Sequence, residues 1–174
     1  VDLPWLDDGV AAVMAWYPGQ EFGSALADVL LGDAEPGGRL PVTFPTSIDV
    51  GPTVGIVPGE GDQLHYGEGI LVGHRWFDAH DVEPRRPFGF GGSYAAFRYG
   101  EASLVTLDSG QISIEMDVTN TSDRSGKTVV QVYSQAPSGE LERPKRQLLG
   151  FESVRLAAGE SATISIGTVH RAFE

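Results

Sequence analysis

From Gln111 to Val118 the apolar Ile112, Ile114, Met116 and Val118 alternate without a break with Gln111, Ser113, Glu115 and Asp117. A period of two sends every other side chain to the same face, so this stretch must be a half-buried strand and cannot be a helix. The downstream residues repeat the theme. Asn120 to Asp123 supplies turn residues, Thr128 to Ser134 and Leu148 to Leu156 read as further strands, and Ala162, Ile164 and Ile166 alternate again after a turn at Ala158-Gly159-Glu160. With Ala102 to Val105 in front, about five strands succeed one another at the roughly 8–12-residue spacing of a β-sandwich. A seven-stranded sandwich needs two more, and a sandwich without them shows an open edge and a bare apolar face. The expectation is therefore an incomplete all-β sandwich, in a chain shortened at both ends.

The first part of the chain obeys a different rule. Val10 to Tyr17 is a short apolar run closed by Pro18-Gly19, the length of a fully buried strand of parallel type. Beyond it Phe22, Ala25, Leu26, Val29 and Leu30 share one face at helical spacing, and Gly32 ends the helix. One strand and one helix make an α/β unit but no layer, so the rest of that sheet must be supplied from elsewhere. Between the two regimes the prolines at 36, 41, 45, 52 and 58 rule out long regular elements, which predicts an extended wrapping segment. The stretch from Gly59 to Tyr94 continues it with Tyr66, Trp76, Phe77, Phe88, Phe90 and Tyr94 set among glycines, the composition of a loop anchored to a neighbouring surface.

Composition narrows the partners. The 174 residues carry a formal charge of −12, which repels phosphate backbones and anionic lipid, so neither nucleic acid nor membrane is expected as a partner. Arg85-Arg86 and the Arg143 to Arg146 cluster are short, adjoin prolines and read as solvated loops. No apolar run approaches the roughly 20 residues of a membrane helix. Without cysteine there is no disulfide or thiolate chemistry, and the compartment, cytoplasmic or secreted, stays open.

Catalytic and metal patterns are missing. No G-x-S-x-G places a nucleophilic serine, and His65, His74, His80 and His170 form no zinc-binding spacing. Gly89-Phe90-Gly91-Gly92-Ser93-Tyr94 lacks the last glycine and the flanking strand and helix of a nucleotide loop, and reads as a turn. Among the acids, Glu21 and Glu68 lie in glycine-rich turns, where helix-start or loop hydrogen bonding accounts for them. Asn120-Thr121-Ser122 fits an N-glycosylation acceptor, and a β-turn explains it equally.

Three blocks, taken in order, are similar to glycoside hydrolase family 3, the β-glucosidases, β-xylosidases and related exo-acting enzymes. The first runs from Ala15-Trp16-Tyr17-Pro18-Gly19-Gln20-Glu21 through Asp33 to Pro36-Gly37-Gly38-Arg39-Leu40-Pro41 and Phe44-Pro45. The second is Tyr66-Gly67-Glu68-Gly69-Ile70, Gly73-His74-Arg75-Trp76-Phe77-Asp78 and Pro87-Phe88-Gly89 to Phe97, and the third Val130-Gln131-Val132-Tyr133, Arg143-Pro144 and Leu148 to Phe151. The chain departs from the pattern at Gly92, where Leu is usual, and at His74, where Tyr is frequent.

The resemblance implies the C-terminal part of a retaining, cofactor-free enzyme. Residues 1–65 would close an α/β sandwich domain, 66–98 would be a wrapping linker, and 99–174 a fibronectin type III-like sandwich lacking its last strands. The Asp nucleophile would come from a barrel domain and the acid/base Glu from an upstream loop, so no catalytic, cofactor-binding or metal residue is assigned here. Carbohydrate would reach this part only through the parent enzyme, and the barrel would be its protein partner. Trp16, Tyr17, Arg75 and Trp76 are expected at that domain interface, because large aromatics and Arg in turns seat one domain on another. The rival reading is a stand-alone β-sandwich module that binds carbohydrate or protein. It would show a planar aromatic row on alternate strand positions, where this chain has Gln, Ser, Glu and Asp.

Overall fold

The structure is a computed structural model that describes residues 5, 11–55, 63–107, 111–135 and 142–168. The chain divides into two compact units, one of Val1–Ala12, Leu40–Phe90 and Ser134–Gln147, the other of Val13–Arg39, Gly91–Tyr133 and Leu148–Glu174.

The second unit opens with helix α1, Phe22–Leu31. Gly32 ends it in the left-handed region at φ 86°, which glycine adopts without steric cost, and its N–H donates to the Val29 carbonyl. Arg124 Nη2 donates to the Gly32 carbonyl at 2.6 Å, and the guanidinium also lies 5.1 Å over the Tyr94 ring. A cation there offsets the negative end of the helix dipole. Of the predicted apolar face only Leu26 and Val29 are half-buried, while Phe22 and Leu30 are exposed.

Over Val10–Tyr17, expected as one strand of a sheet supplied from elsewhere, no ladder forms among the described residues. Val10 lies outside the described residues, and 11–17 belong to no strand and are exposed. A strand exists through its ladder of hydrogen bonds, and none of the described strands runs beside this segment.

The β part follows its periodicity closely. Strands β1 (Phe97–Tyr99) and β2 (Ser103–Thr106) pair in succession along one edge of β3 (Ile112–Asn120), and β6 (Ser161–Gly167) pairs along the other, all antiparallel. Strands β4 (Gly126–Gln135) and β5 (Arg146–Leu156) form a second sheet. Val118, Val130, Leu156, Ile164 and Ile166, drawn from both sheets, make one buried cluster. Each such side chain contributes roughly 1.5–3 kcal/mol of burial. Close packing reaches the backbone at Gly126, where any Cβ would overlap Ala95 and lie 3.0 Å from Phe97 Cζ. The three-residue β1 was not foreseen, because so short a strand carries no period.

Two polar residues depart from the expected pattern. Ser113, read as outward-facing, is 1% exposed and its hydroxyl meets Ser165 Oγ at 2.6 Å. Asn120, read as a turn residue, ends β3 fully buried. The two hydrogens of its Nδ2 are shared among the carbonyls of Arg124, Ala157 and Leu156 at 2.7, 3.0 and 3.2 Å, and its Oδ1 accepts from Ser122 N. That amide closes the β3–β4 turn and the end of β5 together, and in the folded chain it is closed to sugar attachment.

The first unit is built from turns around Phe44, Leu71 and Phe77. Phe44 and Arg86 exchange backbone bonds of 2.8 and 3.2 Å in an isolated bridge. The wrapping stretch also holds a short helix, α2, His74–Ala79.

Candidate functional site

The first unit contains a cavity of about 560 Å³. Its walls are turns rather than strands: residues of 51–55 on one side, Gln63, His65 and Gly67 to Gly69 on another, with Trp76 from α2, His80 just past its end, and Glu142. The glycines let the chain turn sharply, as at Gly69 with φ 55°. Leu71 forms the floor and is buried.

The polar groups around this cavity are unevenly satisfied. His80 Nδ1 donates to the Trp76 carbonyl at 2.8 Å, which fixes the Nδ1–H tautomer, because a carbonyl only accepts. Its ring stacks on Trp76 at 4.2 Å. Glu68 differs: its Oε2 is buried with no hydrogen-bond partner among the described residues. The loop hydrogen bonding that its sequence context suggests does not reach that oxygen. Glu21, the other acid of a glycine-rich turn, stands at the start of α1 without a side-chain cap bond. Glu21 thus takes the expected helix-start position through its backbone, its carbonyl accepting from Ala25 N at 3.0 Å, while the buried oxygen of Glu68 lacks the expected loop bond.

Helix α2 carries two of the four expected interface residues. Trp76 is half-buried, edge-on to Phe77 with centroids 5.3 Å apart. Arg75 is half-buried, and its Nε has no hydrogen-bond partner among the described residues. His74, just before them, stacks on Phe88 at 4.7 Å, and its Nε2 is likewise buried without a partner among the described residues. Burial lowers the His74 pKa, Asp78 opposes that shift, and Arg75 and Arg146 reinforce it. Arg146 holds Asp78 through Nε at 3.1 Å and through Nη2, and Lys145 pairs with Asp81 at 2.5 Å. Trp16 and Tyr17 fall in the other unit, Trp16 at φ 52° and Tyr17 wholly exposed. The structure therefore brings Arg75 and Trp76 together on one helix.

What sequence reasoning missed is the gathering of Glu68, Trp76 and Glu142 around one cavity. Glu142 is 74 positions from Glu68 in the chain, and no local pattern announces that approach. Among the described residues no group of three or more His, Asp or Glu is placed to hold a metal. No helix among them is long and apolar enough to cross a membrane.

Residues 1–74 match the Glycosyl hydrolase family 3 C-terminal domain, and residues 128–174 match a Fibronectin type III-like domain. A beta-glucosidase of Rhizobium radiobacter is 43% identical over 169 residues, which cover 94% of this chain and 21% of that protein. An exo-alpha-(1->6)-L-arabinopyranosidase of Bifidobacterium breve is 37% identical, over 98% of this chain and 22% of that protein. Among solved structures, the beta-glucosidase of Kluyveromyces marxianus in complex with glucose superposes with a TM-score of 0.89 at 39% identity, over 96% of this chain and 20% of that one. The chain thus spans about a fifth of the length of the relatives it matches.

Proposed function

Because this chain belongs to glycoside hydrolase family 3, as the C-terminal part of such a protein, we propose that it is the supporting, non-catalytic portion of a retaining, exo-acting β-glycosidase. The carrying observation is that a sequence similar along nearly its whole length to beta-glucosidases accounts for only about 21% of theirs. Glycoside hydrolysis takes two carboxylates, one to protonate the leaving oxygen and one to attack or activate water. In this reading both are supplied by the parent outside residues 1–174, the nucleophile from the barrel. A relative named for an arabinopyranoside matches this part equally along its length, which fits a glycone chosen in that same outer part.

The division proposed is 1–65 for the end of the α/β sandwich domain, 66–98 for the linker and 99–174 for the fibronectin type III-like sandwich. Trp16, Tyr17, Arg75 and Trp76 act in it as seating residues. Exposed Trp16 and Tyr17, half-buried Trp76 and an Arg75 Nε buried without a hydrogen-bond partner among the described residues support that role, since such groups gain most when a partner surface completes their shell.

An aryl β-glucoside assay on the parent protein and on the 174-residue chain tests the reading. The parent should turn over with release of the β-anomer first, and the chain should stay at background. Turnover by the chain alone would put a catalytic pair inside it and end this proposal.

A further inference from the structure

We infer that Glu35 to Arg39, inside the Glycosyl hydrolase family 3 C-terminal match, is a strap built into the fibronectin-like sandwich, and that strap and sandwich open as one cooperative unit. The surface it fits is the inner face of β4, and the whole contact lies within the second unit. Gly126, Thr128 and Val130 are the buried alternate residues of β4, and Val130 belongs to the two-sheet cluster. Arg39 reaches that same face. Its Nη2 donates to Thr128 Oγ1 at 2.8 Å, and its Nη1 donates to the Gly91 carbonyl at 2.9 Å. Thr128 is 1% exposed, and its hydroxyl also meets the Tyr99 hydroxyl at 2.9 Å. The guanidinium thus completes the bonding of a buried group beside the core.

Close backbone approach holds the strap where Arg39 needs it. A Cβ on Gly91 would overlap the Gly38 carbonyl oxygen and lie 2.9 Å from Arg39 Cδ, and one on Gly37 would press at 3.2 Å on the aliphatic carbons of Lys127. Upstream, Glu35 Oε1 accepts from Tyr94 N at 3.0 Å and from the Ser93 hydroxyl, and the Tyr94 hydroxyl donates to the Val29 carbonyl at 2.8 Å. Among the described residues the second sheet has two strands, and two strands alone are marginally stable in water. The strap therefore gives β4 order that pairing with β5 alone does not. Residues 1–74 and 128–174 match separate families of domain, yet Arg39 and Thr128 bond across that division. The sandwich is fixed to the preceding part through this strap and is not a module on a flexible tether.

Hydrogen exchange on the full-length parent tests this, read over β4 and over β6, a strand that none of these strap bonds touches. Arg39→Ala should lower protection at least about tenfold in both strands, because a cooperative unit opens as a whole. Arg98→Ala, which removes an exposed arginine of β1, should leave both unchanged. Arg39→Lys keeps the charge but not the planar fork, and should give a smaller loss in the same two strands. Gly91→Ala displaces the strap with Arg39 intact, and should open both strands as well. If Arg39→Ala fails to fold while Arg98→Ala folds, the strap is required, and Arg39→Lys supplies the graded loss. A loss confined to β4, with β6 as protected as in the unaltered parent, would overturn the inference, and so would equal protection in Arg39→Ala and Arg98→Ala. Exchange is read without turnover, so an inactive parent counts against the glycosidase reading alone.

Discussion

Asn120 and Glu68 are both polar groups taken out of water, and the two units treat them in opposite ways. In the sandwich, Asn120 finds three carbonyls and one N–H within its own unit. In the turn-built unit, Glu68 keeps a buried oxygen with no partner among the described residues. Paired sheets bring backbone ends together at fixed spacing, so a single amide can serve several of them. Turns offer no such lattice, and their polar groups depend on whatever packs beside them. One unit satisfies its own buried polar group, and the other holds a buried oxygen with no partner among the described residues.

The largest effect should come from the closed unit. Leu156 is 2% exposed at the centre of the two-sheet cluster, and Leu156→Ala should cost about 3 kcal/mol in guanidinium unfolding. Asn120→Ala strands buried carbonyls and should cost about 2 kcal/mol by the same measurement. A loss below about 0.5 kcal/mol in the second case would mean that water replaces the amide, and the contrast with Glu68 would collapse.

His74 gives the open unit a pH signature. Its folded pKa is held below the usual value of about 6.5, so the unfolded chain takes up the proton first. Its contribution to stability is therefore complete above that value and is lost as pH falls from there towards the folded value. Unfolding midpoints between pH 7 and pH 5 should drop less in His74→Gln than in the unaltered protein, and parallel curves would show that the ring is not held neutral. The smallest effect belongs to Lys145–Asp81, whose side chains are 46% and 84% exposed. Lys145→Met should change stability by no more than about 0.5 kcal/mol, and a larger loss would mark that pair as part of a wider charge network.

Strand and helix positions were legible where a period ran long enough to be read. The alternation over Gln111–Val118 became β3, and the apolar spacing after Glu21 became α1. At Val10–Tyr17 the apolar run reads as a strand of a sheet supplied from elsewhere, and no strand lies beside it among the described residues. Length hid β1 and α2, which are three and six residues long and too short for any period. The four seating residues were chosen for side-chain type, and the structure groups only Arg75 and Trp76 within one element.

By itself the sequence determined the β-rich second half, helix α1 with its glycine stop, the acidic charge and the blocks that mark the family. Each of these is written in near neighbours along the chain, through periodicity, turn chemistry or contiguous motif. Only the tertiary structure decided that Ser113 and Asn120 are buried, that residues 11–17 form no ladder, and that Glu68 and Glu142 line one cavity with Trp76. Burial and hydrogen-bond satisfaction depend on atoms brought together from distant positions, and no local pattern records which of those positions will meet.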